Sequence, residues 1–366
     1  MRCSPPAHRR LVMAVLLAAV SGTSYAQVDP LLAGEEQEVA PSLWSFHGDF
    51  GLRQEDTSGF SARDDIERTR TRTRFGWRYD DGSFGFQIGA KVGLGSDDNR
   101  DNRRNLDNEK SNGVGLDVAS FTWHASEHWD VVLGKDVFPL ATTPLTWDTD
   151  LRPVGAAVLG RGELGDFDRW TFVAGSWRGD HLYDDDSRIQ ALQAGWQWRP
   201  GAPFSGELLL GYFDIDHLDR AVREGLTRTN RRLGDSLVSD YRIANLQGAL
   251  TWLIDEEPLT ARLDLVRNLG ADDLRDGARF SVIYGDSRVA NSLELAVAFQ
   301  RIGRDAVSAA FNQDDWWFHS AARGVMPWIA YGINDTWRVQ LSYFRERLDG
   351  ADEHINRTLL DIMARW

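Results

Sequence analysis

Two stretches hold the residues whose types and spacing could do chemistry. In "ERTRTRTRFGWRY", residues 67–79, Arg68, Arg70, Arg72 and Arg74 fall on every second position, and Arg78 returns to that phase. In "KDVFPLATTPLTWDTDLRPVGAA", residues 135–157, Asp136, Asp148, Asp150 and Arg152 lie among Pro139, Pro144 and Pro153, which stiffen the segment. Guanidinium groups grip carboxylates and phosphates bidentately, and rings of charged side chains set ion selectivity. The chemistry offered is recognition by charge. Signals for bond-breaking chemistry are missing. No Gly-x-Ser-x-Gly occurs, so a nucleophile elbow has no support. The histidines at 47, 124, 128, 181, 217, 319 and 354 lack zinc-protease spacing. His124 and His128 flank a short turn between strands, which is no place for a helical metal site. Gly85, Gly89, Gly93 and Gly95 form no phosphate loop and keep one strand face small. No metal or cofactor is expected.

The elements that position the arginines are strands, because side chains alternate between two faces at a period of two. Residues 44–53 oppose Trp44, Phe46, Phe50 and Leu52 to His47, Asp49 and Arg53. Residues 84–95 oppose Phe84, Phe86, Ile88, Val92 and Leu94 to Gln87, Lys91 and glycines. Residues 241–254 and 259–268 repeat the pattern, each about as long as a tilted membrane strand. Long polar connections at 55–67, 96–115, 136–154, 179–187, 214–240, 269–277, 303–319 and 346–354 take turns with short ones. The short ones lie near 80–83, 126–128, 163–168, 200–204, 255–258, 287–292 and 334–336. This rhythm predicts an all-β fold: a transmembrane antiparallel up-and-down barrel of about sixteen strands, with both ends on the short-turn, periplasmic side. The strands near 129–135 and 155–162 are the weakest in pattern.

Magnitude decides which face of the arginine strand meets lipid. One arginine on the lipid face costs about 2–4 kcal/mol at the midplane. Several would cost on the order of 10 kcal/mol, which rivals the stability of a whole domain. The Thr/Phe/Trp/Tyr face must therefore meet hydrocarbon, and Phe75, Trp77 and Tyr79 lie beside a short turn, where an aromatic girdle belongs. Same-face arginines lie roughly 6.8 Å apart. Their repulsion is about 0.6 kcal/mol per pair in water and about 2.4 kcal/mol at an effective dielectric of 20. The ladder thus requires a water-filled passage, a partner surface of carboxylates, or both. Residues 135–157 are expected to fold inward as a constriction loop, setting Asp136, Asp148 and Asp150 across from the ladder.

The ends of the chain agree with export. Residues 1–26 read as a signal peptide: basic Arg2, Arg9 and Arg10, apolar 11–20, then Ser24-Tyr25-Ala26. Its removal takes the only cysteine, Cys3, and deepens the net charge from −14 by three arginines. Residues 27–42 read as a periplasmic leader, and 43–366 as the barrel. An acidic exported chain argues against nucleic acid as a partner. The Asp- and Asn-rich stretches at 97–108 and 184–186 read as solvated loop, with divalent-cation bridging at the lipopolysaccharide surface as the lesser reading. The last strand alternates Leu360, Ile362, Ala364 and Trp366 with Asp361, Met363 and Arg365, ending on an aromatic residue.

Residues 69–100 and 131–157, with Arg68 to Arg78, Trp147, Asp148, Asp150 and Leu151, resemble the Gram-negative outer-membrane porin family. The bend Asp-Val-Phe-Pro-Leu departs from the Asn-Pro-Phe-like order that the resemblance leads one to expect. The resemblance implies a sixteen-stranded barrel, passive diffusion of small hydrophilic solutes and a homotrimer. The expected pore-lining set is Arg68, Arg70, Arg72, Arg74, Arg78, Lys91, Asp136, Asp148, Asp150 and Arg152. Expected partners are outer-membrane lipid, lipopolysaccharide and small hydrophilic solutes, anions included. Three other readings stay open: an anion-selective or acidic-sugar channel, an outer-membrane barrel hydrolase, and a soluble periplasmic β-sandwich.

Overall fold

The alternating segments pair with their chain neighbours, because each needs a partner for its backbone N–H and C=O groups. The computed structural model describes residues 43–62, 64–95, 112–179, 187–223 and 225–366. The expected export signal, the 27–42 leader and the Asp/Asn-rich stretches at 97–108 and 184–186 lie outside these residues. The first strands are β1 (Trp44–Ser58), β2 (Ile66–Asp80), β3 (Phe84–Gly95) and β4 (Asn112–Ser126). Next come β5 (Trp129–Lys135), β6 (Val154–Leu164), β7 (Asp168–Arg178) and β8 (Arg188–Trp198). They are followed by β9 (Phe204–Asp216), β10 (Tyr241–Ile254), β11 (Glu257–Asn268) and β12 (Asp276–Tyr284). The last four are β13 (Leu293–Ile302), β14 (Ala322–Gly332), β15 (Trp337–Leu348) and β16 (Ile355–Arg365). All pairings are antiparallel, and β1 closes onto β16, so the sheet is a sixteen-strand barrel.

The strands run beyond the polar boundaries expected at some loops. β1 extends to Ser58 because Glu55 and Thr57 face the interior and are buried there. Residues 217–240 are not plain coil: they hold a five-residue helix (Asp219–Arg223) and a two-residue hairpin, 232–233 with 236–237.

The outer surface inverts the water-soluble pattern. Trp44, Trp77, Leu210 and Phe299 are more than half exposed, whereas Glu55, Arg68 and Arg70 are buried. Aromatic side chains pair across strands next to the short turns, with ring centroids 5.1 Å apart for Trp44–Tyr79, 5.0 Å for Phe46–Trp77 and 5.6 Å for Phe84–Phe121. This is the girdle that the sequence places beside Tyr79. No helix among the described residues is long and apolar enough to cross a membrane.

The chain terminus closes the seam. Gly48 N–H donates to Trp366 O at 2.9 Å, and Trp366 N–H returns the bond at 3.1 Å. A Cβ on Gly48 would fall 2.7 Å from the Trp366 ring, so glycine there makes room for the terminal indole.

The interior is not uniformly polar. Phe138, Leu145, Trp147 and Leu151 of the segment after β5 pack with Phe311, Val307 and Leu218 of two other long loops. They lie against inward residues such as Trp177, Ile189, Phe213 and Tyr241. Phe138 stacks on Trp147 at 4.1 Å, and Trp147 on Phe311 at 5.7 Å. An apolar filling therefore occupies part of the long-loop half of the barrel. The wall of β16, β1, β2 and β4 carries the charges.

Candidate functional site

On β2 the inward phase of Arg68, Arg70, Arg72 and Arg74 brings them against carboxylates from three directions. Glu55, on β1, is fully buried. Its oxygens meet Arg68 Nε at 2.7 Å, Arg70 Nη2 at 3.4 Å and, from β16, Arg357 Nη2 at 3.0 Å. Asp150, in the loop after β5, takes Arg72 Nη1 at 2.5 Å and Arg74 Nη2 at 2.9 Å. Asp117 meets Arg74 Nε at 3.3 Å and Arg152 Nε at 3.7 Å. Asp49 stands 3.6 Å from Arg72 Nη2. Nearby, Arg53 bonds Asp361 at 2.6 Å and also pairs with Asp315 of the 303–321 loop. Arg357 donates to the Asp314 and Asp315 carbonyls at 2.8 and 2.6 Å.

The loop after β5 crosses the barrel and is pinned at both walls. Gln193 of β8 and Ala141 exchange hydrogen bonds of 2.8 Å, and Gln247 of β10 donates to Ala141 O at 2.9 Å. The Thr143 hydroxyl donates to Asp264 of β11. At its other end Asp150 meets β2. The inward turn starts at Gly134, whose φ of +119° is a conformation L side chains rarely adopt.

The remaining expected residues have other partners. Asp136 accepts from Ser120 Oγ at 2.6 Å and Val137 N–H at 2.7 Å, so it secures the strand exit. Asp148 is buried, and its carboxylate accepts the Asp150 N–H at 2.8 Å, a turn within the loop. Arg152 folds back onto Thr149 O at 2.5 Å. Lys91 is buried on β3, in register with Arg74. Arg78 sits exposed at the short-turn end and pairs with Asp80 at 3.2 Å. Of the expected ladder-to-loop meeting, the geometry brings together Arg72 and Arg74 with Asp150.

The loop and the ladder wall touch at Arg72 and Arg74. Arg68, Arg70 and Arg74 are only 5–6% exposed. The acids that reach them explain how a dry ladder is tolerated, which is the carboxylate branch of the alternative set by repulsion. Arg72, Asp49 and Arg53 keep partial exposure, with side chains 25%, 26% and 21% exposed. Gly51, in register with Arg72, faces open space, with no atom within 4 Å of a Cβ placed there.

Glu55, Asp117, Arg53, Asp315 and Arg357 were not among the expected residues. Glu55 and Arg53 continue the inward phase of β1, and that phase was the available signal. Asp117 carried none, because a bulge at Gly89/Ala90 slips the β3–β4 register and turns it inward.

The loop acids titrate in opposite directions. Burial pushes the Asp148 carboxyl well above the usual range, reinforced by Asp314 and Asp150. Burial also opposes ionisation of Asp150, but Arg72, Arg74 and Arg152 outweigh it and hold its carboxyl far below that range. An undocked loop would titrate near the ordinary aspartate value of about 3.9. Asp150 then favours docking above that pH and loses its contribution below it, while Asp148 penalises docking progressively above it. Docking is expected to be tightest near pH about 4. Hydrogen exchange of residues 141–151, corrected for intrinsic rates, should show protection falling on both sides, with the alkaline fall absent in Asp148→Asn. A profile flat above the carboxylate range in the unmodified chain would refute the role of Asp148.

No protein-family model matches the chain, and no curated protein matches it in sequence. Solved structures do match in fold. Pseudomonas putida OprB superposes with a TM-score of 0.58 at 12% identity, over 88% of this chain and 94% of that one. A mutant of the Rh. blastica porin gives 0.51 at 12% identity, over 88% and 100%. A BenF-like porin from Pseudomonas fluorescens Pf-5 gives 0.51 at 10% identity, over 88% and 99%. The chain has the porin fold. At such identities the likeness extends to the fold alone, whereas the charged network stands on this chain's own residues.

Proposed function

We propose that this chain is a passive outer-membrane porin for small hydrophilic solutes, exported by residues 1–26, with 27–42 as its periplasmic leader and assembly as a homotrimer. One observation supports the reading: a closed barrel is apolar outside, and its inner wall keeps partly exposed charges beside open space at Gly51. Lipid meets the rings and aliphatic side chains, solutes meet Arg72, Asp49 and Arg53, and the docked loop narrows the way past them. Opposite charges at close range orient polar solutes and disfavour apolar ones.

An anion-selective or acidic-sugar channel is the second reading. It is favoured by the make-up of the wall, where, among the described residues, seven arginines (53, 68, 70, 72, 74, 152 and 357) meet six carboxylates (49, 55, 117, 150, 315 and 361). The porin likeness favours a channel over the barrel-hydrolase reading.

Planar-bilayer recording of the detergent-purified chain tests the proposal. Gly51→Trp is the informative variant, since an indole adds up to about 250 Å² of surface to that open space. Its single-channel conductance is expected to fall to a minor fraction of the unmodified value. Unchanged conductance from a folded Gly51→Trp barrel would place the route elsewhere. Block by phosphate or a uronate oligomer would favour the second reading.

A further inference from the structure

We propose that Arg301, Arg323, Arg345 and Arg347 form a binding site for the phosphate groups of a lipid headgroup, on the outer rim of β13, β14 and β15. The site rests on the membrane reading of the barrel. These four arginines lie on the outward phase at the long-loop ends of their strands. Arg301 is directly opposite Arg323, Arg323 is directly opposite Arg347, and Arg345 follows two residues nearer the barrel middle. Directly opposed residues have Cβ atoms roughly 4.5–5.5 Å apart, and like charges so placed repel.

No described carboxylate forms an ion pair with any of the four. Among the described residues, two other outward arginines at this rim stand beside an acid, although Arg188 also lies opposite Arg178. Arg267 pairs with Asp276 at 2.6 Å, and Arg188 lies in register with Asp216. The row on β13–β15 thus differs from the Arg267–Asp276 pair in having no described ion-pair partner. Further towards the short turns the outward face becomes apolar, with Phe299 and Leu295 on β13, Ile329 on β14 and Leu341 beyond Tyr343 on β15. The row therefore marks the edge of the apolar band. Hydrocarbon cannot neutralise it, but headgroup phosphates lie at that depth. The planar guanidinium fork matches phosphate oxygens in pairs. Positive charge continues above the row, where Arg228, Arg232 and Arg304 line an open cleft of about 420 Å³ that reaches Leu348, next to Arg347.

The test uses the full chain in detergent, with labelled lipopolysaccharide as probe. Arg323→Gln/Arg347→Gln is expected to weaken binding about thirtyfold. Arg267→Gln/Asp276→Asn, a matched pair on the same rim, should leave affinity unchanged. Enzymatically dephosphorylated lipopolysaccharide should bind the unmodified chain no better than intact lipid binds the double variant. Should the double variant fold poorly, Arg301→Gln alone carries the test and is expected to weaken binding in the same direction. Equal affinity of a folded variant and the unmodified chain overturns the site. So does competition by inorganic phosphate as effective as by lipid, which would mark a site for soluble anions. Bilayer conductance separates this from the channel proposal: the double variant should conduct normally, and a chain that binds lipid but never conducts would defeat the porin reading alone.

Discussion

Glu55→Gln is expected to lower the thermal midpoint of the folded barrel by on the order of 10 °C, read as the loss of heat-modifiable gel mobility. Glu55 is sealed from water and is the shared counter-ion of Arg68, Arg70 and Arg357. Removing one partner of a buried pair costs about 3–5 kcal/mol, because the surviving charge stays buried. Here three guanidinium groups lose the same carboxylate. The position adds to the effect. Glu55 is on β1, Arg68 on β2 and Arg357 on β16, so one side chain ties the seam where the two ends of the sheet meet. Replacing Arg68 by Met in the Glu55→Gln background should recover part of the loss. Arg78→Gln, which breaks only the exposed pair with Asp80, should change the midpoint little, since exposed pairs contribute about 0–1 kcal/mol. A Glu55→Gln barrel that melts with the unmodified one would show that the triad contributes nothing to closure.

Asp150→Asn is expected to turn the channel towards anions. Asp150 is the carboxylate through which the crossing loop meets Arg72 and Arg74. Asparagine keeps the shape and loses the charge, so an already arginine-rich wall gains net positive potential. A unit charge acts on an ion about 4 Å away with about 1 kcal/mol even in bulk water, which corresponds to about fivefold in the permeability ratio. The reversal potential under a potassium chloride gradient measures it. The loop should stay inside the barrel, held by Gln193, Gln247 and Asp264 at Ala141 and Thr143. More frequent current fluctuations would report its freed end. A reversal potential identical to that of the unmodified chain would mean that permeant ions never pass Asp150.

The barrel was legible because its signals are local. A period of two over ten residues, opposite faces of opposite polarity, and long connections alternating with short ones depend only on near neighbours in sequence. The lipid cost of an outward arginine then settled which face of β2 is inside. The segment after β5 was legible as an inward loop from its acids and prolines, and Asp150 does meet Arg72 and Arg74. The partners of Arg68 and Arg70 were not, although Glu55 lies in plain phase on β1. Nothing in one strand says which inward residue of its neighbour stands at the same height, and a one-residue change of register would redistribute every pair.

What the sequence determined by itself is the class of the molecule: sixteen strands, rings outward, guanidinium groups inward, both ends towards the short turns. Tertiary structure decided whether those guanidinium groups are wet or paired. Strand register set Glu55 beside Arg68, a bulge turned Asp117 inward, and three loops brought apolar side chains into the barrel interior, a filling that the ladder alone did not announce. The physical reason is range. Alternation is written over a few residues, whereas the charge balance of an arginine depends on carboxylates as distant along the chain as Asp315 is from Arg53, and only closure of the sheet brings them within reach.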